Sequence, residues 1–126
     1  MWEFSGQKRP PFAVAPGPGQ ESVWDYPRPP RLAPDGRLVE VRHGDAVIAR
    51  SSRAVRVLET ASPPTFYLPP ADVDLAQLVR VAGTTFCEWK GAASYWALAA
   101  APRAARVAWS YETPTAGFAE LAGYLC

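Results

Sequence analysis

Eight of the 14 prolines fall within the first 34 residues, concentrated in Pro10-Pro11, Pro16-Gly17-Pro18-Gly19 and Pro27-Arg28-Pro29-Pro30. Each proline fixes its own φ, lacks an amide donor and pushes the preceding residue toward extended backbone, so no regular helix can cross this stretch. Residues 1–20 are therefore expected to form an extended or flexible Pro-rich arm, followed by a single β-rich domain over residues 21–126. Trp24 and Tyr26 would project the same way from an extended chain, and exposing two such rings is costly. They are expected to pin the arm to the domain.

From Leu38 onward period-two alternation takes over. Val39 and Val41 alternate with Glu40 and Arg42, His43-Gly44-Asp45 interrupts, and Ala46-Val47-Ile48-Ala49 resumes, which is the pattern of a hairpin closed at a glycine. Val55 and Val57, set against Arg53, Arg56 and Glu59, predict a third strand. Pro63-Pro64-Thr65-Phe66-Tyr67-Leu68-Pro69-Pro70 confines a short aromatic segment to a sheet edge or an isolated extended piece. Asp72 is expected to cap a short helix through Leu75 and Leu78. After Gly83, Thr84 to Lys90 reads as a strand, Gly91 to Ser94 as a turn and Tyr95 to Ala100 as the returning strand, against the helical preference of its alanines. Val107 to Tyr111 predicts a further strand, and Phe118, Leu121 and Ala122 a final helical turn. The sum is a mainly β domain with one or two short helices.

With 126 residues, 48% apolar and 12% aromatic, the chain can build one core. Thirteen basic and 12 acidic residues leave a formal charge of +1, so there is no global field for nucleic acid or an anionic membrane, and neither partner is expected. No stretch approaches the roughly 18 apolar residues of a span, and Met1-Trp2-Glu3-Phe4-Ser5-Gly6 carries no basic-then-apolar leader, which leads to a cytoplasmic expectation. Cys87 and Cys126 are too few for a four-ligand zinc site and are expected as reduced thiols, with no metal bound.

Five stretches carry a family resemblance in combination: Pro18 to Pro30, Val57-Leu58-Glu59-Thr60, Pro63 to Pro70, Cys87-Glu88-Trp89-Lys90-Gly91 with Tyr95-Trp96, and Ala108-Trp109-Ser110-Tyr111. From about Pro18 onward the chain resembles the family catalogued as domain of unknown function 427. The resemblance implies a compact folded-over antiparallel sheet of the Mss4-like type, and a nucleotidyltransferase label with no demonstrated reaction behind it. Many such relatives continue past the position of Cys126 with another strand, so one sheet edge is expected to be open here.

Within the Cys87 to Trp96 segment, strand alternation would place Cys87 and Trp89 on a packing face and Glu88 and Lys90 on the other. Lys90 beside Gly91 would let a phosphate or carboxylate reach backbone and ammonium together. Tyr95 and Trp96 must face opposite ways, and with Trp24, Tyr26, Trp109 and Tyr111 they supply rings for stacking on a base or sugar. The site residues are thus Lys90, Glu88, Gly91, Trp96, Tyr95, Trp24, Tyr26, Trp109 and Tyr111, and the function a domain binding a small polar or anionic ligand. The cofactor is left unknown. One alternative is a metal-dependent nucleotidyltransferase, for which Asp72-Val73-Asp74 is the only close acidic pair; another is a protein-interaction module using the Pro-rich arm. A Cys87 thiol activated by His43 is a further option, although a polar residue in a hairpin turn needs no special role. Arg50, Arg53 and Arg56 read as a solvated basic strand face.

Overall fold

The computed structural model describes residues 4–126, and the expectations placed on Met1, Trp2 and Glu3 lie outside them. In chain order the described strands are β1 (Arg31–Asp35), β2 (Val39–His43), β3 (Ala46–Ser51), β4 (Ala54–Leu58), β5 (Thr65–Tyr67), β6 (Leu78–Cys87), β7 (Gly91–Leu98) and β8 (Ala108–Ser110). All pairing between them is antiparallel, in a β1-β4-β5 sheet, a β2-β3 hairpin and a β6-β7-β8 sheet. The fold is mainly β, with the folded-over antiparallel strands divided over three small sheets.

Gly44 takes φ of +58°, which closes the two-residue turn between His43 and its partner Ala46. The expected hairpin is present. Strand β4 lies between β1 and β5 and is covered as well, so Ala54, Val55, Val57 and Leu58 are all buried. Prolines on both sides hold β5 to three residues at the sheet edge.

The main core gathers Val55, Val57, Tyr67, Ala93, Tyr111, Phe118 and Leu121, side chains from both three-stranded sheets and from the 3₁₀ turn Ala116–Leu121. Ile48, Leu78 and Leu125 form a second cluster joining the β2-β3 hairpin to the β6-β7-β8 sheet. The last residues pair with the end of β5 and with β8. Leu125 exchanges backbone hydrogen bonds with Leu68, and Cys126 with Trp109, so this segment stitches the end of β5 to β8.

Two local expectations are corrected. No α-helix follows Asp72; single 3₁₀ turns occur at Pro70–Asp72 and Leu75–Gln77, and Leu78 already begins β6. The Asp74 amide donates to the Ile48 carbonyl, which holds the chain against β3 and stops a helix from propagating. The Asp72 carboxylate caps nothing, accepting instead from Ser51 Oγ and Arg53.

The second hairpin turns three residues earlier than expected, at Glu88-Trp89-Lys90, with Gly91 opening β7 at φ +103°. Gly83 does not interrupt the chain; at φ +100° it sits in a β-bulge between Val81 and Thr84. Cross-strand packing on β6 and β8 overrides the helical preference of the alanines in β7.

The arm packs on itself and on the domain. Trp24 lies in a 3₁₀ turn, Val23–Asp25, and receives the Phe4 and Phe12 rings edge-on at 6.0 and 5.0 Å. Arg9 binds the Asp25 carboxylate through two 2.7 Å hydrogen bonds. Tyr26 is buried and donates to Glu21, while the buried Thr60 hydroxyl donates to the Tyr26 carbonyl.

Candidate functional site

The 3₁₀ segment after β8 clamps the turn that carries Lys90. Thr115 donates its amide to the Lys90 carbonyl at 3.1 Å and its hydroxyl to the Trp89 carbonyl. A side chain on Gly91 would meet Thr113 O at 3.6 Å and Thr115 N at 3.8 Å. The glycine is therefore packed against chain rather than open to a ligand, and its positive φ is what starts β7 directly after the turn.

Held this way, Lys90 is only 8% exposed and lines a cleft of about 390 Å³ between the two three-stranded sheets. Glu59, Thr65 and Tyr67 form one side of the cleft, and Tyr95, Trp109 and Tyr111 the other. The ammonium lies 5.6 Å from the Tyr111 ring centroid and 6.0 Å from that of Phe118. Among the described residues no carboxylate stands within ion-pair distance of it. Trp109 Nε1 donates to the Tyr67 hydroxyl at 2.9 Å, which fixes both rings. Burial pushes the Tyr111 phenol up to about 12 and raises that of Tyr67 as well, so both stay neutral across the physiological range. The cleft thus combines one buried cation with neutral hydroxyls, aromatic walls and, at one side, Glu59, whose carboxylate lies 3.8 Å from the Arg28 guanidinium.

Of the residues singled out from sequence, Lys90, Tyr95, Trp109 and Tyr111 come together here. Glu88 is exposed in the turn and does not line the cleft, because turn residues do not alternate as strand residues do. Trp96 projects from the opposite face of β7, with its Nε1 donating to Ser110 Oγ at 3.0 Å. Trp24 receives the Phe4 and Phe12 rings of the arm, away from the cleft, and Tyr26 lines a separate polar cleft with Glu21, Asp35, Arg37 and Arg56. Sequence reasoning missed Tyr67 and Thr65, although alternation across the proline-bracketed segment places both on one face.

The remaining candidates are dispersed. Arg53 pairs with Asp72 at 2.7 Å, Arg56 with Glu21 at 2.9 Å and Asp35 at 3.3 Å, and Arg50 reaches Glu40 at 3.9 Å. The expected solvated basic face is a set of ion pairs, with Arg56 largely buried. Asp74 accepts from Gln77 while Asp72 serves Ser51 and Arg53, so the acidic pair is divided between separate partners. His43 ends β2 and lines an apolar cavity of about 190 Å³, whereas Cys87 packs against the main core. Burial pushes the Cys126 thiol up to about 12, which keeps it a thiol rather than a nucleophilic thiolate.

A family model described as domain of unknown function (DUF427) matches residues 31–126. The chain belongs to this family. No curated protein matches it. The DUF427 match begins at the first residue of β1 and takes in all eight described strands, so the Lys90 cleft lies wholly within the family domain. Trp24, Tyr26 and the arm precede the matched span. No described helix of this DUF427 chain is long and apolar enough to cross a membrane.

Proposed function

We propose that this DUF427 domain binds a small organic anion in the Lys90 cleft, with a carboxylate or phosphate against the ammonium and a nucleotide- or sugar-like ring against Tyr95 and Trp109. The observation that carries this reading is the burial of Lys90 without a carboxylate partner. Limiting an ammonium's access to water costs free energy unless a counter-charge or strong hydrogen bonds compensate, and ring quadrupoles at 5.6 and 6.0 Å return only part of that cost. A ligand anion supplies the missing charge, the neutral phenols of Tyr67 and Tyr111 add donors, and Glu59, the one carboxylate lining the cleft, is already paired with Arg28 at 3.8 Å. The walls suit a flat ring, and the cleft volume suits a ligand of nucleotide-monophosphate size or smaller.

The reading is tested by native mass spectrometry of freshly purified protein, followed by thermal shift with adenosine monophosphate, glucose 6-phosphate, benzoate and inorganic phosphate. At least one of these is expected to raise the melting temperature of the wild type and to leave that of Lys90→Met unchanged. A stabilising ligand whose effect survives in Lys90→Met, or a panel that leaves the wild type unmoved with no copurified anion, would overturn the proposal.

A further inference from the structure

The opposite face of β7 carries a second arrangement. Arg80 and Trp96 are register partners across β6 and β7, and Ser94 and Ser110 are register partners across β7 and β8, so the four side chains share that face. Two of them form its buried floor, Ser94 at 6% and Ser110 at 0% exposure. Ser94 Oγ accepts from Arg80 Nη2, and Ser110 accepts from the Trp96 indole and donates to Glu112 Oε1 at 2.7 Å. One charged group of each sign is therefore anchored to a buried serine, on either side of an indole.

Arg80, Trp96 and Glu112 line a cleft of about 250 Å³ whose other walls are Pro70, Leu75 and Leu125. Although they share it, Arg80 and Glu112 do not pair with each other, and neither joins any ion pair among the described residues. Only one carboxylate oxygen of Glu112 is engaged; Oε2 lies beside Gly123, 3.9 Å from where a side chain there would begin. The guanidinium rests over the Trp96 ring at 6.0 Å with its remaining donors unused.

We infer that this cleft is a binding site for a small zwitterion of amino-acid size. A free carboxylate meets the Arg80 fork, a free ammonium meets Glu112 Oε2, and an apolar side chain lies between Trp96, Leu75 and Leu125. Arg presents its donors in a planar fork matched to a carboxylate, and the serine anchors fix both charged heads before the ligand arrives. A ligand with one charge leaves the other head unmatched, so the site selects for both together. This site is separate from the Lys90 cleft and does not depend on it.

The test uses the full chain and three probes that share one side chain: L-leucine, N-acetyl-L-leucine, which keeps only the carboxylate, and L-leucine methyl ester, which keeps only the ammonium. The Trp96 indole N–H resonance, assigned by its loss in Trp96→Phe, is followed by NMR during titration. L-leucine is expected to shift it saturably, with binding at least about tenfold tighter than either single-charge analogue. Arg80→Gln and Glu112→Gln, at exposed positions that leave the fold intact by amide dispersion, should each lose that preference. Lys90→Met should keep it, which separates this inference from the anion site. Equal response to all three probes, no response to L-leucine up to ~10 mM, or an unchanged preference in both glutamine variants would overturn it.

Discussion

The ammonium of Lys90 lies 5.6 Å above the ring of Tyr111, in a position only 8% exposed. If it is retained for a ligand, the unliganded fold gains little from its charge. Methionine has nearly the same length, removes the buried charge and makes favourable contacts with the surrounding rings. Lys90→Met should therefore match the wild type in urea denaturation to within about 0.5 kcal/mol, or exceed it. A loss above about 2 kcal/mol would assign the ammonium a structural role instead.

The Trp109 to Tyr67 hydrogen bond joins the two walls of the cleft at 2.9 Å. Tyr67→Phe leaves the indole N–H without its acceptor and should cost about 1–2 kcal/mol of stability, with a change in Trp109 fluorescence. A variant as stable as the wild type would mean that water reaches the indole in place of the hydroxyl.

Gly91 adopts φ +103° where the turn feeds β7. A side chain there has room, with its nearest neighbours at 3.6 Å or more, so the penalty falls on the backbone. Gly91→Ala should destabilise by roughly 1–2 kcal/mol, measured by urea midpoint. A neutral substitution would show that the turn accommodates another conformation.

Asp35 accepts hydrogen bonds from Arg37 and also faces Arg56, and this holds its carboxyl down to about 2. Because the folded value lies below the unfolded one of about 4, its contribution is complete above pH ~4 and is lost as pH falls toward ~2. Asp72, bound by Arg53 and Ser51, is lowered in the same direction. Urea midpoints taken between about pH 5 and about pH 2 should fall less steeply for Asp35→Asn than for the wild type. Parallel curves would remove Asp35 from the acid response.

Much of the strand order could be read from local chemistry. The His43-Gly44-Asp45 hairpin, the β4 valines and the proline-bracketed edge strand at Phe66 each follow from steric rules acting within a few residues. The turn at Glu88-Trp89-Lys90 could not be placed this way. Its position depends on Thr115, which is distant in sequence yet binds the carbonyls of Trp89 and Lys90. The helix expected after Asp72 fails for a similar reason, since Ser51 and Arg53 take its carboxylate and Ile48 takes the Asp74 amide.

By itself the sequence determined that the chain would be mainly β, that its proline-rich beginning could not be helical, and that Lys90 with nearby rings deserved testing. Those conclusions rest on φ restriction, side-chain alternation and residue chemistry, all local. Only the tertiary structure decided that Lys90 joins Tyr67 and Trp109 in one cleft while Glu88 faces solvent and Trp96 serves the other face of β7. Which side chains converge is set by packing between sheets, where Leu125 and Cys126 bridge β5 and β8. No short window of sequence encodes the meeting of residues so far apart in the chain.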